Sequence, residues 1–191
     1  MVFLFVLGLG PDEVKLNQAA SIFILVAALL SVLMSAESAF DQDYEEGSLE
    51  LVVVSSNSLL IYSLAKSLAH WVVTFLPLVS LVPFIGIGLF LDVEQIWVLC
   101  LGILLVSPTI ILLASDGAAM TISKPRNGVL IANLILPFYV PPLIFVTGLF
   151  EAALLKQDVY PYVYWLTGLF FLALGLAPSA TSACLRIAAE D

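Results

Sequence analysis

Ile96–Ser115 reads IWVLCLGILLVSPTIILLAS, a run without a single acidic or basic side chain. The hydrocarbon core of a bilayer, about 30 Å thick, is crossed by about 20 helical residues rising 1.5 Å each, and this run has that length. Working outward, apolar windows of the same kind occupy Ala19–Ala36, Leu64–Leu91, Gly128–Phe150 and Val163–Leu185, while Met1–Leu9 is only about half a span long. That first window has neither the basic n-region nor the small-residue cleavage site of a signal peptide, so it reads as the tail of a longer first helix. The whole chain of 191 residues is 62% hydrophobic and 11% charged, far above the roughly 45–50% apolar content of soluble domains. The expectation is an all-α integral membrane protein. It is a polytopic bundle of about six transmembrane helices with the first truncated, and 1–191 forms a single membrane domain with no room for a separate soluble one.

Charge is confined to the connections. The net charge of −9 comes from acids that fall mostly between the windows, where they are solvated, and no basic patch invites nucleic acid. Cys100 and Cys184 lie inside apolar windows without a metal or haem-attachment spacing and read as packing residues. Lys66, Lys124, Arg126 and Arg186 fall on one side of the alternating topology, with Lys15 and Lys156 on the other. Cytoplasmic loops are enriched in Lys and Arg, so the Glu37–Lys66 connection, the Lys124–Arg126 connection and the C-terminus are expected inside. Trp97 and the run Tyr160-Pro161-Tyr162-Val163-Tyr164-Trp165 then fall at the outer headgroup level, where amphipathic rings are favoured, and Trp71 at the inner boundary of the third span. Prolines mark every later span: Pro77 and Pro83, then Pro108, then Pro137, Pro141 and Pro142, then Pro178. Each frees a backbone carbonyl that a neighbour must satisfy. They serve equally as hinges of an opening bundle or as static bends.

Catalytic constellations are absent from the sequence. There is no phosphate-binding loop, and Gly86-Ile87-Gly88 inside a span is far short of a nucleotide fingerprint. Nor is there a His-Glu-x-x-His, a Gly-x-Ser-x-Gly or an acid pair within a span, which removes the usual grounds for a membrane protease, a lipase or a proton-coupled carrier. No metal site, no catalytic residue and no tightly bound cofactor are expected. His70, the only histidine, offers either an axial ligand to haem iron or a hydrogen bond to a neighbouring helix at a span end, with Trp71 beside it.

The acidic connection Glu37–Glu50 (ESAFDQDYEEGSLE) cannot enter hydrocarbon. A short helix along the membrane surface would show Asp41, Asp43, Glu45 and Glu46 to water while Phe40, Tyr44 and Leu49 face lipid or protein, with Gly47 supplying a turn. A partner ATPase could grip such an element, or it could be a solvated loop. The following Leu51–Leu64 is interrupted by Ser55, Ser56, Asn57 and Ser58 and is too broken to read as a span.

Taken with Ala69-His70-Trp71, this acidic segment makes the chain resemble the CcmB family, membrane subunits of the ABC transporter of cytochrome c maturation. Further matching patterns are Val26-Ala27-Ala28-Leu29-Leu30-Ser31, Gly47-Ser48-Leu49-Glu50, Ala65-Lys66, Leu76-Pro77-Leu78 and Pro108-Thr109. They continue through Gly128-Val129-Leu130, Leu136-Pro137, Pro141 with Leu143-Ile144-Phe145, Pro178, Ala180-Thr181 and Leu185-Arg186-Ile187. The resemblance implies an ABC-2-like permease of six spans with both termini inside, a homodimer working with two copies of an ATP-binding subunit that carries out the hydrolysis. It also implies a coupling segment at about 37–63, in which Asp41, Asp43, Glu46, Gly47, Ser48, Leu49 and Glu50 dock on that subunit. Partners would be membrane lipids, a haem-handling membrane protein and a haem chaperone, in a bacterial inner membrane or, in a eukaryote, the mitochondrial inner membrane. Haem is then either the cargo or is carried by a chaperone that ATP-driven movement releases. Asp116 and Pro125 depart from the family's usual residues in the connection between the fourth and fifth spans, and an N-terminal amphipathic segment of the family is missing. Rival expectations are an ABC-2 permease for another substrate and an assembly scaffold that moves nothing.

Overall fold

A computed structural model describes residues 8, 16, 19, 22–28, 30–31, 46, 51–52, 58–121 and 128–190. Four long helices account for most of them: α1 (Leu59–Gly88), α2 (Val93–Thr121), α3 (Gly128–Leu154) and α4 (Tyr160–Glu190). Residues 22–28 are also helical. Each of the four contains a segment long and apolar enough to cross a membrane, so the protein is all-helical among the described residues and multi-pass. The third to sixth apolar windows of the sequence are these four helices. Ala19–Ala36 falls only partly within the described residues, as do Met1–Leu9 and the acidic connection.

The helices pack as a bundle with α2 in the middle. It touches α1, α3 and α4, and α4 also touches α1 and α3. Half of the apolar window of α2 is buried, against 17% of that of α1, whose outer face is left for lipid or protein. The main core joins Phe75 and Val82 of α1, Leu99, Ile103 and Ile110 of α2, Tyr139 and Val146 of α3 and Leu166 of α4. Leu16, Ile24 and Leu25 from the N-terminal part also enter it. Small residues let backbones approach where apolar side chains gain nothing over lipid by being buried. Thus Ala118 and Ala119 of α2 meet Leu185 of α4, and Ala173 and Ala177 of α4 meet Leu112. At Gly102 an added Cβ would stand 2.9 Å from Val146 of α3, and at Gly148 of α3 it would collide with the ring of Tyr162.

Two short connections close one end of the bundle, and backbone hydrogen bonds close them. After α1, the Leu91 N–H donates to the Gly86 carbonyl at 3.0 Å and the Phe90 N–H to the Ile87 carbonyl at 3.2 Å, the paired bonds of a Schellman motif. After α3, the Gln157 N–H reaches the Ala152 carbonyl at 2.8 Å and the Lys156 N–H the Ala153 carbonyl at 3.1 Å. The left-handed position of such a motif favours glycine, yet Phe90 (φ 59°) and Lys156 (φ 53°) occupy it here. The incoming helices are capped as well. Gln95 Oε1 accepts from the Asp92 N–H at 2.8 Å ahead of α2, and Asp158 Oδ1 accepts from the Tyr160 N–H at 3.0 Å ahead of α4.

Helix α1 starts at Leu59, earlier than the apolar window predicted, because Leu59–Leu64 continues the helical pattern from Ser58, whose backbone carbonyl accepts from the Ile61 and Tyr62 N–H groups. Lys66, expected at the end of a connection, lies about two turns inside α1, and His70 and Trp71 about three turns inside. The Ser115-Asp116-Gly117 break, expected to open the next connection, is likewise helical: Ala118, Ala119 and Met120 resume the apolar pattern and α2 runs on to Thr121.

Candidate functional site

The interior of the bundle carries a seam of polar side chains, built on helical spacing. Ser63, Ser67, Trp71 and Phe75 recur every fourth residue, so they share the face of α1 that meets α2. Ser67 Oγ donates to Ser115 Oγ at 2.8 Å, and Ser115 Oγ donates onward to the Ile111 carbonyl of its own helix at 2.9 Å. Trp71 Nε1 donates to Ser107 Oγ at 2.9 Å. Ser107 in turn donates to the Leu104 carbonyl at 3.1 Å, the acceptor that Pro108, lacking an N–H, leaves open. Sequence placed Trp71 at the membrane boundary; the structure turns it inward, where its N–H finds the hydroxyl beside the α2 proline.

Nearer the end from which α1 starts, α4 joins the seam. Ser63 Oγ donates to the Leu60 carbonyl of its own helix at 3.0 Å and stands 3.4 Å from the Pro178 carbonyl of α4, and Thr181 Oγ1 donates to the Asp116 carboxylate. Ser63, Ser67, Ser115 and Thr181 are buried. Helix α2, 29 residues, is about 43 Å long against a hydrocarbon core of about 30 Å, which sets Asp116 near the membrane boundary rather than at mid-depth. A carboxylate at that level survives by having a named partner, here Thr181. In α3, Tyr139 is fully buried and its hydroxyl donates to the Ile110 carbonyl of α2 at 3.2 Å.

The residues predicted from sequence fare unequally. Asp41, Asp43, Gly47, Ser48, Leu49 and Glu50 lie outside the described residues, and Glu46 stands exposed in a turn. His70 is half-buried on α1, one helical turn after Lys66, whose Nζ sits 6.0 Å from the centre of the Tyr62 ring. Cys100 and Cys184 are free and half-buried, each packed against a core cluster. Among the described residues no three His, Cys, Asp or Glu side chains gather as a metal site. Sequence reasoning missed Ser63, Ser67, Ser107, Ser115, Asp116, Tyr139 and Thr181. The four-residue spacing of Ser63, Ser67 and Trp71 was the available signal, as was the apolar run resuming behind Asp116.

At the opposite end, Trp97, Tyr160, Tyr164 and Trp165 are exposed in the first turns of α2 and α4, where the sequence put an aromatic belt. Tyr160 and Tyr164 stack at 6.4 Å, and Trp165 stacks on Phe145 of α3 at 5.2 Å. A cleft of about 270 Å³ lies between the two connections there, lined by Asp92, Glu94, Gln95 and Lys156 with apolar residues of α2 and α3.

Apolar spans, aromatic residues at one end and helices pinned by interhelical hydrogen bonds define a polytopic helical membrane protein. The sequence profile described as CcmB protein matches residues 1–188, and the chain belongs to that family. It is similar to "Heme exporter protein B" of Pseudomonas aeruginosa, with 41% identity over 191 residues that span 100% of this chain and 86% of that relative. The proteins of the same name from Haemophilus influenzae and Escherichia coli are 37% and 40% identical, each covering 100% of this chain and 86% of the relative.

Proposed function

We infer that this chain is the membrane permease subunit of an ABC transporter complex that delivers haem for cytochrome c maturation. The observation that carries this reading is the full-length likeness to relatives named "Heme exporter protein B". The chain has about six spans in an ABC-2-like arrangement and sits in a bacterial inner membrane as a homodimer with two ATP-binding subunits. It is not itself an enzyme. ATP is hydrolysed on the partner, and haem is cargo, or is released with its chaperone, rather than a resident cofactor. A haem-handling membrane protein and the haem chaperone complete the assembly.

Work enters through the acidic segment at about 37–63, with Asp41, Asp43, Glu46 and Glu50 contacting the ATPase. The last residues of that segment, from Leu59, already belong to α1, whose first turns carry Ser63 and Ser67. A push on the segment therefore acts on the Ser67–Ser115 bond that ties α1 to α2 and on the contact of Ser63 with α4. The ATPase cycle works by binding one arrangement of these helices better than another.

Complementation of a strain lacking its own CcmB-type subunit tests the reading. The intact chain should restore c-type cytochromes and bring down the ATP-binding subunit, and Asp43→Lys with Glu46→Lys should abolish both. Maturation that survives loss of ATP turnover on the partner would show a scaffold instead.

A further inference from the structure

Beside the Ser67–Ser115 and Trp71–Ser107 bonds, α1, α2 and α4 part to leave a cavity of about 250 Å³. Ser67, Trp71, Pro108, Leu112, Phe170 and Leu174 form much of its wall. The wall is apolar in effect, because Ser67 and Trp71 direct their polar atoms into the bonds with Ser115 and Ser107. Its rim lies on the outside of the bundle: Leu64, Leu68 and Leu174 are 37%, 62% and 38% exposed. Pro108 and Leu112 stand about 13 Å or more from either end of α2, so the mouth opens sideways within the membrane-crossing part of the helices.

In the membrane-embedded chain by itself, water, vacuum and hydrocarbon compete for that space. Water needs two to four polar partners, and this wall is almost wholly apolar. An empty space forfeits the dispersion contacts of every side chain around it. Hydrocarbon surrounds the mouth and matches the wall. We propose that this cavity is a lipid site, in which an acyl chain of a membrane phospholipid enters between α1 and α4 and lies against Trp71 and Pro108. An apolar cavity of 150 Å³ takes a benzene ring, and on that scale this one takes about ten chain carbons. No charged side chain lines it, so the site reads the chain and leaves the headgroup at the boundary. The proposal is independent of the haem reading.

The chain has 3 tryptophans, which makes the site directly visible. With Trp97→Phe and Trp165→Phe, the emission of the full chain comes from Trp71 alone. Reconstituted into phosphatidylcholine vesicles containing phosphatidylcholine brominated at mid-chain, Trp71 should be quenched progressively as the brominated fraction rises. Leu174→Phe in the same background should reduce that quenching about twofold or more, because the added ring occupies the space of the chain. Leu112→Phe fills the cavity from α2 and should do the same. A retained helical circular dichroism signal establishes that the variants are folded, and Leu174→Phe, at a partly exposed position, carries the test if Leu112→Phe is not folded. Trp71 emission indifferent to brominated lipid overturns the proposal. Equal quenching in a folded filled variant also overturns it, since the bromine would then be reaching Trp71 from the general lipid surface.

Discussion

The two ends of the described bundle are held by different chemistry. Where α1 meets α2 and α3 meets α4, the chain turns through Schellman motifs, an Asp92–Gln95 cap and an Asp158 cap. These bonds are local, made within a few residues, and they persist however the helices lean. At the other end, Ser67–Ser115 ties α1 to α2 and Thr181–Asp116 ties α4 to α2, each a single side-chain bond between residues distant in sequence. The neutral one is of a kind that averages about 0.6 kcal/mol in membrane proteins, the one to the carboxylate is stronger, and each can be broken and remade on its own. The aromatic end is clamped instead by close packing between helices, Gly148 against the Tyr162 ring and Phe145 against Trp165, whereas the end nearest the start of α1 rests on separable side-chain bonds, the arrangement expected if force enters there.

Breaking the clamped end should have the largest effect. Gly148→Leu drives a side chain into the Tyr162 ring, and overpacking of this kind costs about 1–3 kcal/mol, with the upper part of that range expected here. A large fall in the thermal midpoint of the purified protein checks it, and an unchanged midpoint would show that α3 and α4 can separate there freely.

At the adjustable end, Thr181→Val removes the donor and leaves the Asp116 carboxylate without it, at a cost of about 1–3 kcal/mol. Asp116→Leu combined with Thr181→Val should recover most of that loss, and a double-mutant cycle measures the coupling. Additive effects would mean that the pair contributes nothing as a pair. If this end carries the motion, Thr181→Val should also change the ATPase activity of the assembled complex, whereas stability lost at Gly148 should lower only the amount of folded protein.

A smaller effect, about 0.6 kcal/mol, is expected for Ser67→Ala, which loses one bond to Ser115 while that hydroxyl keeps its contact with the Ile111 carbonyl. Equality with Thr181→Val would remove the distinction between the neutral and charged bonds of the seam. Smallest of all, Lys156→Gly should raise stability by roughly 0.5 kcal/mol. Relief of the left-handed strain outweighs the greater freedom of glycine in the unfolded chain. A lowered midpoint would show that the Lys156 side chain contributes more in its cleft than its backbone strain costs.

Much of this protein was legible in its sequence because the bilayer imposes a coarse rule. Any long apolar run without charge must become a helix that satisfies its own backbone, and Leu64–Leu91, Ile96–Ser115, Gly128–Phe150 and Val163–Leu185 obeyed it. Family membership was equally legible, since ordered short patterns along the chain need no coordinates. The seam was not. Asp116 read as the start of a connection because a carboxylate normally ends a span, and only its placement against Thr181 of α4 makes a helical position tolerable. Trp71 read as a boundary residue because indoles favour the headgroup level, until Ser107 supplied an acceptor inside the bundle. Hydropathy along the chain thus determined which segments cross the membrane, through a transfer free energy that each segment settles for itself. Which side chains face inward, which hydroxyl answers the Pro108 gap and where the lateral cavity opens depend on how the helices are rotated against one another. Only the tertiary structure decides that, because the partners in each contact come from helices far apart in sequence.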